Sequence, residues 1–383
     1  MIAYDKKLLE NTFLVAEAVD MKKSGFLSKE DLDRIKTQLP GLKTNRNIFV
    51  RIGFLLLGAL LYLSIIGVIA LIAFNRSSDF RMFGFLISII GFAILEIFCR
   101  QNYFCHGLDD AFIIGAQLTF YASVVADSDS PISLFIAMIF LGFIFAIRYV
   151  SILSFLVSVS GVVLFIGFSI IEYTILASIL PFVLLLLAVG FYLIYRKVKD
   201  KPEYYLYQDI LYWFQIFSLV LGYASVNYFV VRSLSEEYLG FDYTQEDIPF
   251  GWVFYILMFA IPLAYSYYSL KLKNRTMLYI GGLSFTISVL TFRYYHSILP
   301  AEWALLFSGI GIFAAVYFII QKIKTNPTGI TFQHDRTNNT AALNNIEALL
   351  VNSQDIKHAE DSQDSSMPFG GGGYSGGGAG ENF

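Results

Sequence analysis

Residues 96–111 read EIFCRQNYFCHGLDDA and hold acids, an Arg, a His and both cysteines of the chain within sixteen positions. Such side chains could pass protons or bind a small polar solute. An imidazole titrates near pH 6.5, and carboxylates and a guanidinium beside it would give a relay or gate its charge. Glu96, Arg100, His106, Asp109 and Asp110 are therefore the candidate polar cluster, a substrate or proton path. The same residues admit a structural reading. Glu96 precedes Arg100 by four positions, the favourable order for a pair on one helix face. Asp109 and Asp110 suit a helix N-terminus, where carboxylates complement the backbone dipole. Cys99 and Cys105 are separated by five residues, a spacing that fits neither a CxxC motif nor a zinc knuckle. No disulfide scaffold, metal site or cofactor is expected from them.

The elements that must position this cluster are apolar. Of 383 residues, 56% are hydrophobic and only 15% charged, too greasy a balance for a soluble globular chain of this length. A net charge of −3 provides no general attraction for nucleic acid. A bilayer core asks for about 20 apolar residues per helix, and only helices or closed barrels satisfy the backbone there. The sequence predicts ten spans: Ile52–Phe74, Met82–Cys99, Ala111–Val125, Pro131–Ile147, Tyr149–Ile171, Tyr173–Tyr195, Ile210–Val231, Phe250–Leu270, Met277–Phe292 and Trp303–Ile320. The fold class expected is an all-α integral membrane protein in contact with the lipid bilayer.

Lys and Arg favour the cytoplasmic side of a membrane. With the N-terminus inside, the inner connections hold Arg100, Arg148, the group Arg196 to Lys201 and the group Lys271 to Arg275; the outer ones hold only Arg76, Arg81, Arg232 and Arg293. Both ends are then cytoplasmic, which agrees with an even number of spans. Tyr and Trp crowd the span ends, as interfacial aromatics do.

Three regions follow: a cytoplasmic helical hairpin at 1–45, a polytopic membrane domain at 46–324, and a tail at 325–383, polar and then Gly-rich. In the hairpin, Leu8, Leu9, Phe13, Leu14 and Val19 recur on one helical face, and Leu32, Ile35 and Leu39 on a second. The DMKKSGFLSKED between them echoes a calcium loop, with Asp20 and Asp31 at its ends and Gly25 at its sixth position. Lys22 sits where a ligand oxygen belongs, so Gly25 ending one helix and Ser28 capping the next is preferred. The tail ends SSMPFGGGGYSGGGAGENF, a composition that favours disorder. Its Phe369, Tyr374 and Phe383 could engage a protein partner.

Inside the spans, Gln117, Gln215 and Asn227 can hydrogen-bond between helices, and Pro181 and Pro262 could break helices where a substrate binds. No Ser/His/Asp arrangement or HExxH occurs, so no catalytic residue is assigned and an enzyme is not expected.

The stretches DMKKSGFLSKEDLDRI, FLLLGALLYLSIIGVIALIAFN and GLDDAFIIGAQLTFYAS resemble a widespread bacterial family of predicted multi-pass membrane proteins of unknown function. Its members share a short N-terminal helical segment with a similar turn, a first span with an A-x-N-W-like exit, and a many-helix bundle. Here the exit is AFNRSSDF, with Arg76 in place of the usual Trp. The resemblance covers the first 120 or so residues. The Gly-rich end with its final aromatic is similar to tails of some other bacterial membrane proteins, including ones with a TPM-type domain that this chain lacks. A bacterial inner membrane and an all-helical fold are implied, and no active-site residue. Two functions remain: a membrane component acting through its hairpin and tail, alone or as a homo-oligomer, or a small-solute carrier or channel with five helices in each half.

Overall fold

The computed structural model describes residues 2–296, apart from 24–26, 46, 74–79, 127, 129, 173–177 and 240–247, together with scattered positions between 306 and 324. They belong to a unit spanning Met1–Thr337; a second, Asn338–Phe383, lies outside the described residues. The predicted span Trp303–Ile320 falls largely outside them too, and the tail with Phe369, Tyr374 and Phe383 entirely so.

Every described element is helical apart from one isolated bridge. Two helices form the N-terminal hairpin, α1 (Lys6–Lys23) and α2 (Lys29–Gln38). Then come α3 (Ile48–Ala73), α4 (Phe80–Arg100), α5 (Leu108–Val125), α6 (Ile132–Tyr149), α7 (Ile152–Ile171) and α8 (Leu180–Val198). A 3-10 turn at Pro202–Tyr207 leads into α9 (Gln208–Ala224), followed by α10 (Tyr228–Leu239), α11 (Gly251–Leu272) and α12 (Arg275–Tyr295). Eight of these helices, α3 to α8 with α11 and α12, are long and apolar enough to cross a bilayer. The protein is a multi-pass membrane protein.

Sequence neighbours pack as antiparallel pairs, α4 with α5, α6 with α7, α8 with α9 and α11 with α12. α5 is central to the first half, touching α3, α4 and α6. In its apolar stretch 39% of the residues are buried, against 11% in that of α3. Without a hydrophobic drive between helices in lipid, close approach must come from shape. Tyr62 of α3 supplies it by lying against Gly115 of α5, where an added Cβ would stand 2.8 Å from the ring. Its hydroxyl meets the Thr119 hydroxyl at 2.9 Å.

Two expectations about breaks are corrected. Pro181 sits in the first turn of α8, where a missing N–H costs nothing, rather than in mid-span. Pro262 lies inside α11, which continues through it. The break falls instead within the predicted span Ile210–Val231, where α9 and α10 meet at 75°. Asn227 makes that corner: its side-chain oxygen accepts from the Val230 N–H at 3.3 Å and starts α10. The seventeen residues of α9 rise about 26 Å, close to a hydrocarbon core.

The hairpin belongs to the bundle. Asp5 caps α1 by accepting from the N–H groups of Lys7 and Leu8. Ser28 caps α2 by accepting from the Asp31 N–H, and its hydroxyl donates to the Asp31 carboxylate at 2.6 Å. That is the Ser28 cap read from the sequence, with Asp31 serving helix entry; Gly25, read as ending the first helix, lies outside the described residues. The returning segment closes over α1, with Asn11 donating to the Pro40 carbonyl and the Leu42 N–H donating to Thr12. Tyr4, Leu9 and Leu42 enter the same buried cluster as Leu95, Cys99 and Phe104 from the bundle. Leu14, read as part of the apolar face, is 43% exposed.

Candidate functional site

The connection between α4 and α5 turns tightly. Asn102, Cys105 and Gly107 adopt positive φ, at 66°, 50° and 109°. At Gly107 the turn touches α3 so closely that a Cβ would stand 2.3 Å from the Arg51 carbonyl. Only glycine meets both demands. Residues after α2 run beside this turn as one parallel bridge, Lys43 with Tyr103. The Lys43 N–H donates to the Asn102 carbonyl at 2.7 Å, and the Phe104 N–H to the Lys43 carbonyl at 3.2 Å. The Lys43 ammonium lies 4.8 Å from the Tyr103 ring centre, and Asn45 donates to the His106 carbonyl at 2.8 Å. At the chain start, the Ala3 N–H donates to the Arg148 carbonyl at the end of α6, at 2.8 Å.

The predicted site residues divide among separate partners here. Asp109, 1% exposed, reaches back to accept from the His106 and Gly107 N–H groups at 2.9 and 3.0 Å. It ties off the start of α5. Asp110 pairs with Arg51 of α3 at 2.7 Å. Glu96 does not take Arg100 as its partner. It accepts from Arg148 at 2.7 Å and from the Tyr149 hydroxyl at 2.5 Å, so the expected local pair is replaced by one joining α4 to α6. Arg100 is exposed and makes no ion pair among the described residues. His106 packs between Phe54, 4.4 Å away, and Tyr103, 4.9 Å away. Its Nδ1 is buried without a hydrogen-bond partner.

The cysteines lie beside this joint. Cys99 is buried, Cys105 is partly so, and both are free thiols. Burial pushes the Cys105 thiol well above the ordinary range. Tyr4, 5% exposed, is shifted upward too, chiefly by burial and next by the Cys99 sulfur beside it. Its hydroxyl has no geometrically sound hydrogen bond. No group of three or more His, Cys, Asp or Glu that could hold a metal occurs among the described residues.

Deeper polar residues join helices. Gln117 donates to Ser154 across α5 and α7 at 2.6 Å, and Tyr121 donates to Gln117 at 3.3 Å. Asn227 donates to the Tyr223 hydroxyl at 2.8 Å, and Tyr223 meets Ser288 of α12 at 2.9 Å. Gln215, 2% exposed, leaves its side-chain N–H group unpartnered.

Sequence reasoning missed Arg51, Arg148 and Tyr149, taking Arg148 only as a marker of orientation. The signal was present, since that orientation places Glu96 and Arg148 at the same face of the membrane. Tyr4 and Lys43 carried no such signal, because nothing local says that a terminal segment folds back onto a distant turn. No family model, curated protein or solved structure matches the chain.

Proposed function

We propose that this is a non-transporting component of a bacterial inner membrane, with both ends cytoplasmic, that acts through its N-terminal hairpin and its Gly-rich tail. The observation behind this reading is the joint: backbone bonds from Ala3 and Lys43 hold the hairpin to the bundle, while α2 keeps only Leu32 buried. Glu30, Asp33, Arg34 and Lys36 point outward on an anchored scaffold. The cluster at residues 96–110 supports this reading because Glu96, Asp109 and Asp110 are each occupied by a structural partner. Reversing Glu30, Asp33 and Arg34 in one variant, and deleting residues 369–383 in another, is expected to change partners, localisation or turnover. Wild-type behaviour of both variants in all three would overturn the proposal.

The broken span favours a second reading, a small-solute path of the carrier or channel kind. Discontinuous helices in membranes offer backbone groups to substrates, and Asn227 stands at such a break. A path requires water to reach it. Asn227→Cys should then react with a membrane-impermeant thiol reagent; a variant that folds but stays unlabelled removes this alternative.

A further inference from the structure

We propose that the end of α8 and the turn between α11 and α12 form one docking surface for anionic phospholipid headgroups. The two stretches are far apart in sequence, yet the Tyr192 hydroxyl of α8 donates to the Met277 sulfur of α12 at 3.7 Å. Arg196 follows Tyr192 by one helical turn, and Lys273 and Arg275 shortly precede Met277, so the two basic stretches share one end of the bundle. It is also the hairpin end, since Tyr207, just beyond α8, donates to the Ile147 carbonyl at the end of α6.

Arg196, Lys197, Lys199, Lys201, Lys271 and Lys273 are all exposed, and none has an ion-pair partner among the described residues. Asp200 and Glu203 are the only acids in these two stretches. Lys273 ends α11 with φ 53°, a left-handed position that glycine or asparagine fills more easily. A lysine there keeps a positive charge at the cost of backbone strain.

The occupant follows from what borders the charges. Leu193 and Ile194, on the last turns of α8, are 50% and 53% exposed, and Tyr267 and Tyr268 of α11 are 65% and 49% exposed. Apolar side chains and tyrosines, each within about one helical turn of the cations, match acyl chain and interface beside the phosphate. Free phosphate or a nucleic acid would use the cations and leave the apolar side chains unused. A role only in setting orientation would depend on the number of charges; a docking surface depends on where they stand.

The test uses the full chain in neutral detergent, titrated with phosphatidylglycerol or phosphatidylcholine and followed by native mass spectrometry and thermal stability. Phosphatidylglycerol should be retained and should stabilise the protein, while phosphatidylcholine and inorganic phosphate should not. Replacing Lys197, Lys271 and Lys273 by Gln together should weaken phosphatidylglycerol binding at least about tenfold. Removing Lys7, Lys29 and Lys36 from the hairpin in the same way should leave it unchanged. Lys273→Asn suits the left-handed backbone, so it should fold at least as well as wild type and still bind less. Equal binding of the two lipids, equal loss in the two triple variants, competition by inorganic phosphate, or undiminished binding by Lys273→Asn would each overturn the proposal.

Discussion

Gly107 carries the sharpest demand on a single residue. Alanine there would need both an unfavourable φ and space already filled by the Arg51 carbonyl. Gly107→Ala should destabilise the bundle by about 3 kcal/mol or more, seen as a lower detergent melting temperature; an unchanged melt would contradict the turn described. Glu96→Gln leaves Arg148 without its carboxylate and should cost about 1–2 kcal/mol, discounted for the partial exposure of both groups. Arg100→Gln should cost far less, since Arg100 has no ion pair among the described residues. If the two variants lose equal stability, the sequence-local pair was the right one after all. The partly buried Cys105 thiol, with its pKa raised, should alkylate slowly at pH 8 in the folded protein and faster on denaturation. Rapid native labelling would contradict that burial.

Among the elements, long apolar runs made the membrane helices legible, because a run near bilayer length has few other uses. The predicted spans from Ile52–Phe74 to Tyr173–Tyr195, with Phe250–Leu270 and Met277–Phe292, each coincide in large part with a helix. The break at Asn227 was not legible. Proline advertises a break, whereas Ser225, Val226 and Asn227 look unremarkable until Asn227 is seen capping α10 and bonding Tyr223. The cap of α2 was legible, since Ser28 and Asp31 act within one turn. Ser28 holds the Asp31 carboxyl below its ordinary value, first through the hydroxyl bond. The contribution of a depressed carboxyl is present in full above its unfolded pKa, about 3.9, and fades as pH falls through the lower folded value. α2 should therefore keep this cap through neutral and mildly acidic pH. Ser28→Ala should raise the Asp31 pKa in a carbon-detected titration; an unmoved titration would show that the cap does not form.

For the whole molecule, the N-terminal hairpin and the membrane bundle share one buried cluster, although the sequence presents them as separate regions. Leu9 reads as an ordinary member of an amphipathic hairpin; only folding shows that it shares a buried cluster with Cys99 and Phe104. The candidate site shares this fate. Its residues were visible as types, but the partners Arg51, Arg148 and Tyr149 come from other helices, at separations no local pattern encodes. This end of the bundle is a joint that fixes the hairpin in place. It is tested most directly by Lys43→Cys with Tyr103→Cys, placed where the two segments run side by side as a bridge. In native membranes under mild oxidation the pair should form an intramolecular disulfide in high yield, while either single variant does not. A well-folded double variant that stays reduced would contradict the joint and return the hairpin to an independent arm.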